Sequence, residues 1–379
     1  MLVPVNALSL RIVGCIFAAI LASGCASIGH DLKNPGPSWP ASPSVIAHRG
    51  ASALRPEHTL AAYRKAIEDG ADSIEPDLVA TRDGVLVARH ENEISGTTNV
   101  ADLARFADRK TSKTIDGVAV IGWFTGDFTL AELRQLRARE RIPANRPANA
   151  AHDGKYAIPT LQEIVDLVDS EGRARNKTIG LVPELKHPSY FKSIGLALEP
   201  RLVEVLAANG YRGRDAAVFI QSFEVGNLKE LRALAGYRLV QLVSMPSEAP
   251  YDALAAGSGL TYADMITPHG LREIARYADV VAPYKTIVIP RDAAGELGSP
   301  TRFVHDARAA GLAVHVWTMR PENPFLPPAL RAAPADSPSQ RGDAAGEIRA
   351  YLEAGVDAIF TDDPATGRKA VDAIRQHRR

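Results

Sequence analysis

Cysteine is nearly absent from this chain: two residues in 379, Cys15 and Cys25, both close to the N-terminus. A domain that begins at or after Cys25 therefore has no internal disulfide and must rest on packing alone. An excess of charge of either sign is also missing, with 44 Lys and Arg against 44 Asp and Glu. That balance provides no basic field for nucleic acid and no net attraction to a membrane surface, so an anionic ligand has to be held by local charge. Long hydrophobic runs are lacking too, and the stretch from Ile12 to Ala22 falls short of the ~20 residues that cross a bilayer. What the chain does have is 46% hydrophobic and 23% charged residues, the composition of a globular protein with a sizeable core.

The N-terminus reads as a leader. Arg11 precedes the apolar run Ile12 to Ala22, and Ser23-Gly24-Cys25 follow, which suits the core and cleavage site of a signal peptide over residues 1–24. Leu21-Ala22-Ser23-Gly24-Cys25 resembles a bacterial lipoprotein box, in which Cys25 becomes the lipidated new N-terminus. Ordinary signal peptidase also accepts small residues at this point. The expectation is an exported, periplasmic protein with a lipid anchor on Cys25. Residues 25–43 contain Pro35, Pro37, Pro40 and Pro43 and few hydrophobic groups, so they read as a spacer between anchor and domain.

From Val45 onward, short apolar or β-branched runs alternate with amphipathic stretches. The candidate strands are Val45–Ala47, Ser73–Leu78, Val85–Ala88, Thr178–Leu185, Ala217–Ile220, Arg238–Leu242, Asp279–Ala282, Ala313–Trp317 and Asp357–Phe360. Alternation of this kind implies a parallel sheet with helices outside. Thr81-Arg82-Asp83-Gly84 is too short for a parallel crossover and carries the Asp-Gly hairpin signal, so the third run should fold back on the second and bring His90 beside Asp77. Eight strands then remain, and a (β/α)₈ barrel over residues 44–379 follows, although pattern alone leaves an open doubly wound sheet possible. Residues 99–157 lack a βα unit and read as an insertion with one helical piece, Leu130–Glu140, placed to cap a site. Residues 321–345 read as a long loop.

In such a barrel, chemistry gathers at the C-terminal ends of the strands. His48-Arg49-Gly50 follow the first strand, and Glu75 and Asp77 share a face of the second. His90 ends the hairpin strand, Glu184 and Lys186 share a face of the next, Gln221-Ser222 follow another, and Asp362-Asp363 close the last. Each piece alone has a plain structural explanation; a lone histidine after a strand is usually a hydrogen-bonded loop residue. Their convergence on one rim is different. Glu75, Asp77 and Glu184 would repel one another unless a divalent cation sat among them, and oxygen-only ligation suits Mg²⁺ or Ca²⁺ better than Zn²⁺. Two histidines can supply an acid and a base, and Arg49 can fork onto phosphate oxygens.

His48-Arg49-Gly50-Ala51-Ser52, Pro56-Glu57-His58-Thr59, Glu75-x-Asp77, Thr81-Arg82-Asp83-Gly84, His90, Pro183-Glu184-Leu185-Lys186, Gln221-Ser222-Phe223, Val316-Trp317-Thr318 and Thr361-Asp362 together resemble the signature of glycerophosphodiester phosphodiesterases. Pro-Glu-His-Thr and the insertion resemble the periplasmic, calcium-using branch. The resemblance implies the barrel fold and hydrolysis of a small glycerophosphodiester to sn-glycerol 3-phosphate and an alcohol. It also implies one divalent cation, Ca²⁺ before Mg²⁺, on Glu75, Asp77 and Glu184, with His48 and His90 as the acid–base pair in either order. Arg49 and Lys186 would then hold the phosphate, Trp317 would wall the glycerol, and Glu57 would support the site. One position departs from the family, which usually has Asp where this chain has Glu91. A related phospholipase acting on lysophospholipid or phosphoinositide, and a non-catalytic surface lipoprotein, are the competing readings. The sequence is silent on oligomeric state.

Overall fold

The computed structural model describes Met1, Leu2 and residues 31–377 of the chain. Backbone contacts divide the chain into two units, Met1–His30 and Asp31–Arg379. The leader and Cys25 lie outside the described residues.

The strands run in chain order as β1 Ser44–His48, β2 Ser73–Glu75, β3 Asp77–Ala80, β4 Leu86–Ala88, β5 Thr111–Ile115, β6 Val118–Gly122, β7 Gly180–Leu181 and β8 Glu184–Leu185. They continue with β9 Phe219–Ser222, β10 Arg238–Val243, β11 Val280–Pro283, β12 Ala313–Met319 and β13 Ala358–Thr361. Two prolines explain the short pieces. Pro76 divides β2 from β3, and Pro183 divides β7 from β8, because proline cannot donate to the ladder. The two broken strands still pair with each other on both sides of the breaks, and the Glu184 amide donates to the Pro76 carbonyl at 2.9 Å. Sheet order then runs from β3 through β8, β9, β10, β11, β12, β13 and β1 to β2, closing an eight-stranded parallel barrel.

Strand alternation divides the apolar residues into two layers. Ile46, Val182, Phe219, Val240, Leu242, Val280, Ala282, Ala358 and Phe360 fill the barrel interior. Their outward neighbours, such as Val45, Ala47, Leu181, Ile220, Val281 and Ile359, meet the surrounding helices. Helix starts follow local chemistry. Thr59 caps Leu60–Glu68, and Thr160 with Glu163 forms a capping box on Leu161–Arg175.

Four features differ from the sequence reading. The hairpin forms, but its register is Leu78 opposite Ala88 and Val79 opposite Val87, so Arg89 rather than His90 faces Asp77. The loop holds five residues, 81–85, closed by mutual bonds between Thr81 and Val85, and this moves the pairing by one residue. The expected helix from Leu130 ends at Leu133, since the chain beyond turns to bridge Ala138 to Thr98. The insertion also contains a β5–β6 hairpin that the sequence reading lacked.

The fourth difference concerns residues 31–43, which do not stand off as a spacer. Trp39 stacks on Phe219 at 6.1 Å and joins the interior layer. Gly180 makes room for it; a Cβ there would lie 2.1 Å from the Trp39 ring. Lys33 Nζ meets Asp169 at 2.6 Å and the Asn209 carbonyl at 2.7 Å. Proline content argues for extension, but the Trp39 ring, the Lys33 cation and hydrogen bonds from Asn34 and Gly36 dock the segment on the barrel.

Candidate active site and metal centre

Glu75 from β2, Asp77 from β3 and Glu184 from β8 converge at one end of the barrel. They are 1%, 0% and 5% exposed, so water cannot screen their mutual repulsion. Each offers a carboxylate oxygen within 4.8 Å of the others. Other contacts aim these groups rather than satisfy them. Glu75 accepts from the Arg49 amide at 2.7 Å and from Gln221 at 3.1 Å, and Asp77 Oδ2 contacts His58 Nε2 at 2.7 Å. Asp77 Oδ1 accepts no hydrogen bond, with the Lys186 ammonium 3.6 Å away, and Glu184 Oε1 has only that ammonium, at 2.6 Å. Buried oxygen-only donors with so few partners fit a hard divalent cation.

The His48-Arg49-Gly50 turn delivers two more groups. Gly50 has φ +86°, and a Cβ there would lie 2.7 Å from the Ala62 carbonyl carbon, so glycine alone lets the following helix approach. Arg49 itself sits at φ +60°, a conformation that costs a non-glycine residue energy and is held by its surroundings. Its guanidinium reaches Glu57 at 3.2 Å and Asp77 at 3.4 Å. His48 Nδ1 contacts Asp362 Oδ1 at 2.6 Å, and His90 Nδ1 contacts Glu91. With Nδ1 of each ring on a carboxylate, Nε2 is the nitrogen left for a substrate. Both rings, the triad residues Glu75 and Glu184, Arg49, Lys186 and the aromatic wall of Phe223, Trp317 and Phe360 line one cavity of about 370 Å³. Trp317 is fixed by its Nε1–H bond to the Ala282 carbonyl at 2.9 Å.

The glycerophosphoryl diester phosphodiesterase family model matches residues 48–366. A glycerophosphodiester phosphodiesterase of Arabidopsis thaliana, GDPD6, is 31% identical over 92% of this chain and 92% of its own. The glycerophosphodiester phosphodiesterase of Haemophilus influenzae is 26% identical over 95% and 98%. A phosphodiesterase of Oleispira antarctica, solved in complex with the product sn-glycerol-3-phosphate, shares the fold with a TM-score of 0.54 at 21% identity, covering 87% of this chain and 97% of that one. The chain belongs to the glycerophosphoryl diester phosphodiesterase family.

Electrostatics in this family member separate the acidic groups. Burial raises Glu75 well above the usual carboxylate range, and Asp77 and Glu184 push it further. Burial also raises Glu184, to about 8, against the pull of Lys186. Asp77 is buried as well, yet Lys186 and His58 overcome that and hold it well below its ordinary value. Burial and the neighbouring Arg49 cation lower His48 to about 4, while burial, Arg49 and Lys186 lower His90 to about 3. Both imidazoles are therefore neutral at pH 7 in the metal-free, substrate-free protein.

Several residues here escaped the sequence reading. His58, fully buried, holds Asp77 from one side and Tyr63 Oη from the other at 2.8 Å. Arg89 is 1% exposed and donates to the carbonyls of Glu57, His58 and Thr97, locking the Pro-Glu-His turn to the hairpin. The insertion contributes two arginines. Arg141 forks across Glu57 and Glu91 at 2.7–2.9 Å, and Arg146 joins Glu322 at 2.6 Å to Asp362 at 2.5 Å. Arg320 adds a third contact to Asp362, at 3.2 Å. No spacing signal marks these arginines, because they lie in a segment without periodicity. Asp362 was readable as a strand-end carboxylate and as part of the family signature, without a role.

Proposed function

We propose that the protein hydrolyses glycerophosphodiesters to sn-glycerol 3-phosphate and an alcohol, with one divalent cation on Glu75, Asp77 and Glu184. The observation that carries this is the buried carboxylate triad, of which Glu75 and Glu184 share one cavity with two histidines each backed by its own carboxylate. The histidine-free donor set favours a hard cation, and the resemblance to the calcium-using branch favours Ca²⁺ over Mg²⁺. Bound there, the ion supplies Lewis-acid polarisation of the phosphoryl oxygens.

In this reading Arg49 and Lys186 hold the phosphate oxygens, and Phe223, Trp317 and Phe360 wall the glycerol. His48 Nε2 takes the proton of the glycerol hydroxyl next to the phosphoester, and that oxygen bonds to phosphorus as the bond to the alcohol breaks. His90 gives its proton to the departing oxygen. It also lines a groove leading away from the triad, past Glu91, Asp116 and Glu224, which supports this assignment of the alcohol side to His90. The phosphate anion offsets the repulsion that Arg49 and Lys186 exert on His90, so the ring gains proton affinity when substrate binds. Water then opens the cyclic phosphate, with the two proton transfers reversed. Loss of either histidine should cost on the order of 10²–10⁴ in rate. A substrate lacking the hydroxyl should bind without turning over; normal turnover of that deoxy analogue would eliminate the cyclic route.

Charged walls adjoin the site on both sides, Glu91, Asp116, Glu224 and Glu248 on one and Lys285, Arg291 and Arg331 on the other.

Export and anchoring form a separate part of the proposal and rest on the leader and on Cys25. Stable anchoring takes more than one acyl chain, which a lipoprotein N-terminus supplies. Cys25→Ser should move the protein from the membrane to the soluble fraction with activity unchanged. Wild-type protein found wholly in the soluble fraction would mean there is no anchor.

A further inference from the structure

Trp317, Thr318 and Arg320 line the triad cavity on one face and a second cavity, of about 330 Å³, on the other. The second cavity is built from the chain after β11, the end of β12 and the loop that follows. Lys285, Arg291, Arg320 and Arg331 all contribute to its wall, and no carboxylate among the described residues does. Its volume lies within the range of small-molecule sites.

Positive charge there exceeds what the fold neutralises. Lys285 is 5% exposed, and its Nζ lies 2.9 Å from Glu347 Oε1. Arg291 Nη2 approaches the same oxygen at 2.7 Å. One carboxylate, itself fully buried behind the wall, thus serves two cations. Arg331 donates to the Leu326 carbonyl at 3.2 Å and has no carboxylate partner among the described residues. Arg320 meets Asp362, but that carboxylate is shared with Arg146 and His48. The wall is also fixed in place. Tyr284 packs edge-on against Trp317 at 5.0 Å, the Arg320 guanidinium lies 4.8 Å over Phe325, and Lys285 donates to the Phe325 carbonyl at 3.2 Å. The groove on the His90 side has the opposite character, with Glu91, Asp116, Glu224 and Glu248. The two ways out of the site therefore differ in sign.

We propose that the cavity beyond Trp317 is an anion subsite for a second phosphate or phosphodiester group of the substrate. Its ligands are Lys285, Arg291 and Arg331, with Arg320 at the junction. The proposal deepens the phosphodiesterase reading and rests on it. The substrates it selects are diesters that carry phosphate twice, such as a central glycerol bearing two glycerol 3-phosphates.

The test compares that bis-phosphodiester with glycerophosphoglycerol, which has one phosphate, and glycerophosphocholine, which adds a cation, on the metal-loaded full chain. Charge-assisted hydrogen bonds to a second phosphate should lower the KM of the bis-phosphodiester on the order of 10-fold below that of glycerophosphoglycerol. The gap should narrow as ionic strength rises. Arg331→Ala and Arg291→Gln should each raise KM for the bis-phosphodiester and leave glycerophosphoglycerol unchanged. Turnover of glycerophosphoglycerol with no gain from the second phosphate would overturn the subsite alone. So would an equal loss on both substrates in both variants. No turnover of any of the three would overturn the phosphodiesterase reading, and the subsite with it.

Discussion

Arg146 donates to Asp362 at 2.5 Å, and Asp362 contacts His48 Nδ1 at 2.6 Å through its other oxygen. An arginine of the insertion thus fixes the carboxylate that sets the tautomer and angle of a candidate catalytic ring. All three groups are buried, so the geometry is held without competition from water. Arg146→Met should lower kcat by about 10–100-fold, the scale on which removing a supporting partner acts, with KM nearly constant. Arg146→Lys should recover part of the loss. Steady-state kinetics on the three proteins would check this, and a loss confined to KM would contradict it.

Glu91 has a matching relationship with Arg141, and here the departure from the family's usual aspartate acquires a physical account. Its side chain spans from His90 to the Arg141 fork, which also grips Glu57. Glu91→Asp shortens that span by one methylene and should lower kcat several-fold. In an Arg141→Gln background the same change should cost much less, because the contact it breaks is already gone. Additive losses in this double-mutant cycle would mean that the two residues act independently.

Raised carboxylates make metal binding a competition with protons. Glu75 lies well above its ordinary range, and Glu184 lies at about 8 against an unperturbed 4.5. A raised folded-state pKa contributes stability that is complete below the unfolded value and is lost as pH climbs through the folded one. The metal-free fold should therefore weaken between about pH 4.5 and 8. A cation binds the ionised forms, so its affinity should strengthen over the same interval. Thermal melts with chelator and with Ca²⁺ should differ little near the acid end and increasingly toward pH 8. A gap that is constant with pH would contradict the assignment of these groups.

Trp39 closes the interior of the barrel opposite the site. It is half-buried against Phe219 and under the Arg238 guanidinium, so Trp39→Ala should cost on the order of 2 kcal/mol and lower Tm by several degrees. Activity at low temperature should be retained, since no group of the triad cavity touches it. An unchanged Tm would show that the Trp39 ring adds nothing to the fold.

Much of this molecule was legible in its sequence because period and punctuation agree. Every candidate strand from Val45–Ala47 to Asp357–Phe360 overlaps an observed one, and the Asp83-Gly84 turn gave the one antiparallel partner. Glu75, Asp77 and Glu184 were found since a strand face and a strand end locate a side chain without knowledge of the rest. What stayed hidden depends on contacts between distant segments. Arg141 and Arg146 lie in a segment with no apolar period, and their partners are 50 to 216 positions away. Trp39 was masked by four surrounding prolines, whose composition argues for extension even where one ring is buried. The one-residue error at His90 came from a loop length, which pattern fixes less well than strand identity.

Release of sn-glycerol 3-phosphate from a glycerophosphodiester, followed through chelation and metal titration, tests the account most directly. Wild-type protein should lose activity on exhaustive chelation and regain it with Ca²⁺, and less readily with Mg²⁺. Glu75→Gln, Asp77→Asn and Glu184→Gln should each need more cation to reach half of their maximal rate. Undiminished hydrolysis after chelation, or a wild-type metal response in all three variants, would show that the carboxylate triad is not the metal centre of this enzyme.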